Sequence, residues 1–193
     1  MLNEILKKNF LAHSLNFIKK KYKLLIILLL VLIIFLFAFM FYQDLNKKNN
    51  IQVAEEYTKA TILIKQKRAE ESKLLLESII NKNHQFYSPL ALYLIIDNNI
   101  DLDDLKIISY FNKILKNNSI DKENLNLIKI KKAIYLINLD REEQVVKTLN
   151  PIINSKSVWR KTAINLISEY FLAKDQNAKA KEYIQLLMNT SQK

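Results

Sequence analysis

Asp103–Asp104 and Glu142–Glu143 are the residue pairs that come closest to chemistry, because neighbouring carboxylates can divide general-acid and general-base work between them. Both pairs fall in the first turns of expected helices, where the helix dipole stabilises negative charge. Capping accounts for them better than catalysis. The two histidines, His13 and His84, lie on opposite sides of a long apolar run, and neither has a partner at metal-ligand or triad spacing. The chain has no cysteine, hence no disulfide and no thiolate metal site. It also has no glycine, which removes phosphate-cradling loops, dinucleotide fingerprints and nucleophile elbows. No catalytic, cofactor-binding or metal site is therefore expected, and neither is an enzyme activity or a small-molecule substrate.

The lack of glycine also removes the easiest two-residue hairpin turns, so the chain reads as all-α. From Ile51 onward, segments of about 12 to 17 residues carry helical apolar periodicity. Polar breaks near Lys67–Arg68, Lys82–Gln85, Asp97–Asp101, Asn117–Asp121, Leu139–Asp140, Asn154–Ser157 and Lys174–Gln176 divide this region into eight helices. Ser88 followed by Pro89 marks one start, since proline suits the first helical position. Asp140 with Glu143 reads as a capping box. Asp101, Asp121 and Ser157 are each expected to cap a helix by accepting from an otherwise unpaired backbone N–H.

The helices follow an apolar run, Leu24 to Tyr42, that contains no charge, glycine or proline. As a helix of nineteen residues it is roughly 28 Å long, close to the thickness of bilayer hydrocarbon. Its Leu, Ile, Phe and Val side chains favour insertion by several kcal/mol in sum. A soluble core helix of this length normally keeps a polar stripe, and this run has none. Lys7, Lys8, Lys19, Lys20, Lys21 and Lys23 precede the run against one acid, Glu4. Only Lys47 and Lys48 follow closely, opposed by Asp44, Glu55 and Glu56. The positive-inside rule then puts the N-terminus in the cytoplasm and residues 43–193 across the membrane. A cleaved signal peptide would have a shorter apolar core and a small-x-small site. Phe39, Met40, Phe41, Tyr42 and Gln43 stand there instead, so a retained signal anchor is expected. Leu2, Ile5, Leu6, Phe10, Leu11, Leu15 and Ile18 repeat helically between lysines. They suit either a helix lying on the lipid surface or a frayed extension of the span.

The predicted organisation is a basic cytoplasmic segment 1–23, a transmembrane signal anchor 24–42, a linker 43–50 and one helical domain 51–193. The chain has 193 residues and a net charge of +11, with 27 Lys against three Arg. Abundant Lys, Ile and Asn together are what an AT-rich coding sequence produces. A solvated basic surface explains the charge better than nucleic acid does, because Arg with interleaved aromatics is the usual grip there.

A shift of 108 residues superposes the first helical pair on the last. Ala60 then matches Ser168, Leu63 matches Phe171, Ile64 matches Leu172 and Ser72 matches Ala180, with Leu76, Ile79 and Asn81 on Ile184, Leu187 and Asn189. Small residues twelve apart let two antiparallel helices cross closely. Odd-numbered helices start near Ala54, Pro89, Glu123 and Trp159, so the two middle units, 88–117 and 121–154, keep the period without the small pairs. This spacing resembles the tetratricopeptide repeat, a helix–turn–helix of about 34 residues. The expected fold is one N-terminal transmembrane helix and a TPR-like α-solenoid of about four hairpins, with an irregular helical bundle as the alternative. Trp159 is expected to pack in the core between the third and fourth pairs.

The whole layout resembles the ancillary subunit family of the bacterial Sec translocon (YfgM-like), in its alphaproteobacterial form. The resemblance is carried by Val158-Trp159-Arg160, by Ser168 through Leu172, by Asn177-Ala178-Lys179-Ala180-Lys181 before Leu186-Leu187, and by Phe86-Tyr87-Ser88-Pro89-Leu90-Ala91. Where that family usually has Gly in its turns, Lys67, Arg68, Asp175 and Gln176 stand here. The resemblance implies a protein of the bacterial inner membrane with a periplasmic domain. It would bind translocon subunits, a membrane-bound chaperone or exported polypeptides, besides the lipid bilayer that holds it. Repeat stacking makes a surface lined by the first helix of each pair. In repeat register the candidate partner-binding residues are Tyr57, Thr61 and Lys65 in the first unit and Asn165, Glu169 and Leu172 in the last. The alternative function is a structural scaffold or self-associating subunit of an envelope or cell-division assembly.

Overall fold

A computed structural model describes the backbone of residues 2–100 and 103–188, and side chains from Tyr22 onward except Leu25 and Asn46. Eight helices form among the described residues: α1 (Leu2–Lys65), α2 (Ala69–Asn81), α3 (Tyr87–Asp97), α4 (Asp104–Ile114), α5 (Lys122–Asn138), α6 (Glu142–Ile153), α7 (Arg160–Ala173) and α8 (Asn177–Met188). The expected breaks coincide with the gaps between them to within two residues. The chain divides into two compact units, Met1–Gln52 and Val53–Lys193.

In the first unit, α1 is the one helix among the described residues long and apolar enough to cross a membrane. Its side chains from Ile26 to Tyr42 are exposed on every face, so no core covers them. Residues 43–50, expected as a linker, are helical too. They hold no Gly or Pro to break the helix, and Lys48 pairs with Asp44 one turn away at 2.8 Å. The apolar stripe expected over residues 2–18 rests on side chains outside those described.

In the second unit the final turns of α1 open a succession of hairpins. Ala60 and Ser72 are fully buried at the first crossing, and the Ser72 hydroxyl donates to the Ala60 carbonyl at 3.0 Å. Ser168 and Ala180 are buried in the last hairpin, as the shift of 108 residues requires. Asn189, the final match of that shift, lies outside the described residues. Contacts join sequence neighbours: α2 packs on α3, α3 on α4, α5 on α6, α6 on α7 and α7 on α8, while α5 also meets α7. This is solenoid-like packing. Two apolar clusters fill it, one running from Val53 to Ile128 and the other from Ile130 to Ala180. Trp159 packs against the second, as expected.

The hairpin turns have one geometry in common. Lys67, Asn99, Asp140 and Asp175 take left-handed backbone, with φ of 60°, 49°, 55° and 57°. After each, the next N–H reaches five residues back: Arg68 to Leu63, Ile100 to Ile95, Arg141 to Leu136 and Gln176 to Phe171. These are Schellman endings, which normally recruit glycine. Asn and Asp tolerate the left-handed region because their short side chains hydrogen-bond locally, whereas lysine is strained there. Lys67→Gly is therefore expected to raise stability by about 0.5–1 kcal/mol, after allowing for glycine's extra freedom in the unfolded chain. Asp140→Gly is expected to give no gain, since its carboxylate accepts from the Tyr170 hydroxyl at 3.1 Å and pairs with Lys174. Thermal unfolding of both variants side by side checks this, and equal shifts contradict it.

That carboxylate corrects the expected capping box. Asp140 ends α5 instead of starting α6, whose N-cap is Arg141 with no side-chain cap. The Lys174 ammonium beside it, with the Tyr170 hydroxyl, holds the Asp140 carboxyl below its ordinary value. Asp121 caps α5 as expected, accepting from Glu123 and Asn124 N–H at 3.0 Å each. Asp103 caps α4 through Leu105 and Lys106. Asp101 lies outside the described residues. Ser157 stands two residues before the α7 N-cap, Trp159, and accepts from its N–H at 3.1 Å.

The start of α3 also differs. Pro89 is its third residue, and Ser88 is buried with its hydroxyl on the Ile79 carbonyl at 2.8 Å. His84 does the capping, its Nδ1 accepting from Phe86 and Tyr87 N–H at 3.1 Å each. Burial lowers the His84 pKa below its ordinary value. The folded state thus binds this proton less readily than the unfolded state. Its stabilising contribution is full above the unfolded value of about 6.5 and declines as pH falls below it. The unfolding temperature is expected to drop between about pH 7 and pH 5, and His84→Ala is expected to flatten that drop.

Candidate functional site

The four left-handed turns within hairpins fix a register along the first helix of each, while a fifth left-handed residue, Asn83, lies between hairpins. Six residues before each turn stand Thr61, Tyr93, Ile134 and Glu169, and two residues before stand Lys65, Asp97, Asn138 and Ala173. Tyr57, Thr61 and Lys65, four apart, share one face of α1. Tyr57 is half-buried with its ring 5.4 Å from that of Tyr87, Thr61 donates to the Thr58 carbonyl at 2.6 Å, and Lys65 is exposed. Asn165, Glu169 and Leu172 are exposed on α7. None of the six lines the cavities beside α3 and α5.

Their counterparts in the middle hairpins do. Tyr93, Ile96 and Asp97 of α3, Phe111 of α4, and Lys131, Ile134, Tyr135 and Asn138 of α5 enclose a cavity of about 200 Å³. A second of about 200 Å³ continues toward the start of α3 between Phe86, Pro89, Leu90 and Tyr93 on one side and Leu127 and Ile128 on the other. Tyr93 stands between the two. Together they form an apolar groove where α3 and α5 part, walled by residues of the first core cluster. Each cavity is smaller than the 300–1,000 Å³ of typical small-molecule sites and suits one bulky side chain.

The polar groups of the groove are few. The Tyr93 hydroxyl is buried without a hydrogen-bond partner. Leaving a buried donor unpaired costs about 1–3 kcal/mol, so an incoming acceptor recovers that energy. Burial pushes the Tyr93 phenol up to about 12, which keeps it a donor at neutral pH. The Lys131 ammonium lies over its ring at 5.7 Å from the centroid, and Asp97 stands at the rim. Nearby, the Tyr135 hydroxyl donates to Asp104 at 2.6 Å, and Glu142 holds Lys179 at 2.7 Å. Asp103 thus serves as a cap, and Asp104 and Glu142 bridge neighbouring hairpins, while Glu143 stands in the first turn of α6. Among the described residues no cluster of His, Cys, Asp and Glu is placed to hold a metal.

No family model matches this chain, and no curated protein or solved structure matches it significantly. The groove therefore speaks through its own chemistry. It offers two apolar niches about one side chain each, separated by a hydroxyl that lacks an acceptor. An extended or helical polypeptide supplies both in alternation.

The sequence register missed this groove because it was anchored on helix starts. The turns at Asn99 and Asp140 come ten and seventeen residues after the expected starts at Pro89 and Glu123, so no single offset from the helix starts fits both middle units. Asn98-Asn99 and Asp140 carried the usable signal, as Asn and Asp are the residues that most readily accept the left-handed turn.

Proposed function

We propose that this chain is a membrane-anchored, TPR-like protein-interaction module that binds polypeptide segments in the groove between α3 and α5. The observation that carries this reading is the pair of apolar cavities flanking the unpartnered Tyr93 hydroxyl, on the face shared by the first helices of the hairpins. The apolar run Leu24–Tyr42, with its lysine-rich approach, supports a single-pass anchor with the N-terminus in the cytoplasm and the helical domain in the periplasm of a bacterial inner membrane. The resemblance to the ancillary Sec translocon subunit supports translocon subunits, a membrane-bound chaperone or exported polypeptides as partners.

Ile134, 41% exposed at the groove, is the place to test it. A photo-crosslinking amino acid at position 134 of the full chain, expressed in cells, is expected to capture translocon or chaperone subunits. Leu90→Glu, which places a charge in the second cavity, is expected to suppress those adducts. Adducts between copies of this chain alone count for the scaffold reading, and adducts insensitive to Leu90→Glu remove the groove from the proposal.

A further inference from the structure

A larger groove opens elsewhere on α5, away from Tyr93. It has a volume of about 700 Å³ and runs between α4 and α6 with α5 as its floor. Leu105, Ile108 and Leu115 form an apolar stripe along α4, and Leu105 is 68% exposed. Over that stripe stand Lys129, Lys132, Arg141 and Lys147, against one carboxylate, Glu143. Among the described residues, none of these four cations is in an ion pair. Lys132 donates only to the Asn112 amide oxygen, at 2.7 Å, and Lys129 only to Asn126, at 3.4 Å. Burial, and then the positive charge of Lys147, lower the Lys132 pKa. The free protein thus holds unneutralised cations together beside an exposed Leu105 and the half-buried Ile108 and Leu115, an arrangement that stabilises nothing by itself.

We infer that this groove docks an acidic amphipathic helix of a protein partner, with its apolar face on Leu105, Ile108 and Leu115 and its carboxylates on Lys132, Lys147 and Arg141. The charge excess calls for an anion, and the stripe calls for an apolar face beside it. From Leu105 to Leu115 the groove wall is about 15 Å long, which matches some ten residues of helix. Helices seat in such grooves through anchors at i, i+3, i+4 and i+7. Nucleic acid is a poorer occupant, because a single guanidinium and an apolar floor offer little to phosphates or bases. A bilayer is poorer still, because a flat surface does not enter a cleft walled by two helices. This surface is separate from the α3–α5 groove and stands or falls independently of it.

The test selects a random library of peptides about twelve residues long on the full chain in zwitterionic detergent. Recovered peptides are expected to carry Asp or Glu opposite an apolar i, i+3, i+4 face. They are expected to bind the K132E/K147E variant about tenfold or more weakly, and to weaken similarly as salt is raised. Lys181→Glu, exposed on α8 and lining neither groove, is expected to leave binding unchanged, and thermal unfolding confirms that both variants are folded. Peptides without acidic enrichment, or equal binding to K132E/K147E, overturn the inference. So does a groove that retains phosphatidylglycerol vesicles or single-stranded DNA through Lys132 and Lys147 but no peptide.

Discussion

Replacing Leu30, Ile33 and Leu36 together by aspartate is expected to move the protein from the membrane pellet to the soluble fraction. The nineteen-residue run gains roughly 0.3–0.6 kcal/mol of insertion energy per apolar residue, or several kcal/mol in all. Each aspartate near the centre adds about 2.5–3.5 kcal/mol against insertion and removes one favourable residue. Three of them outweigh the run. All three positions are exposed on α1, so no packing in the protein is lost with them. Carbonate extraction of membranes followed by immunoblotting reads the result. A variant that stays membrane-embedded means that something other than this run holds the protein there.

Phe111→Ala is expected to destabilise the helical unit by about 3–5 kcal/mol, a large part of the 5–15 kcal/mol that holds a typical domain. Phe111 is fully buried in the first cluster, with its ring 6.2 Å from that of Tyr135, and it also lines the cavity beneath Tyr93. Its removal enlarges a void that already exists, and the surrounding helices cannot collapse into it without closing the groove. The unfolding temperature is expected to fall by about 10–15 °C, followed by circular dichroism of the full chain in detergent. Phe111→Leu is expected to lose much less. A change of under about 2 °C for the alanine variant shows that Phe111 is not part of the cooperative core.

Much of the helical layout could be read without coordinates because the chain punctuates itself with polar pairs. Breaks at Lys67–Arg68, Leu139–Asp140 and Lys174–Gln176 interrupt strong apolar periodicity, and periodicity is the most dependable local signal. The buried small residues Ala60, Ser72, Ser168 and Ala180 were legible for the same reason. Turn conformation was less so, since a capping residue and a left-handed residue draw on the same types. Asp140 has the type and spacing of a cap, yet it ends the preceding helix. Contacts across one repeat were invisible. Glu123 accepts from the Ser157 hydroxyl and the Val158 N–H, and Asn126 reaches Ser157 at 3.0 Å, thirty-one residues away. Such bonds depend on how neighbouring hairpins meet, which no local pattern encodes. The groove beside Tyr93 was hidden for a related reason: it arises where two hairpins part, not from any residue's type.

Those bridges have a consequence for how the domain assembles. Lys106 to Glu77, Asn117 to Asn83, Tyr135 to Asp104, Asn126 to Ser157 and Gln176 to Glu142 all span between 29 and 34 residues. Each hairpin is therefore completed by the one that directly follows it, and no early element has to wait for the C-terminus. A chain delivered from its N-terminal end can lock each unit in place as the next one arrives, leaving only the newest edge open at any moment.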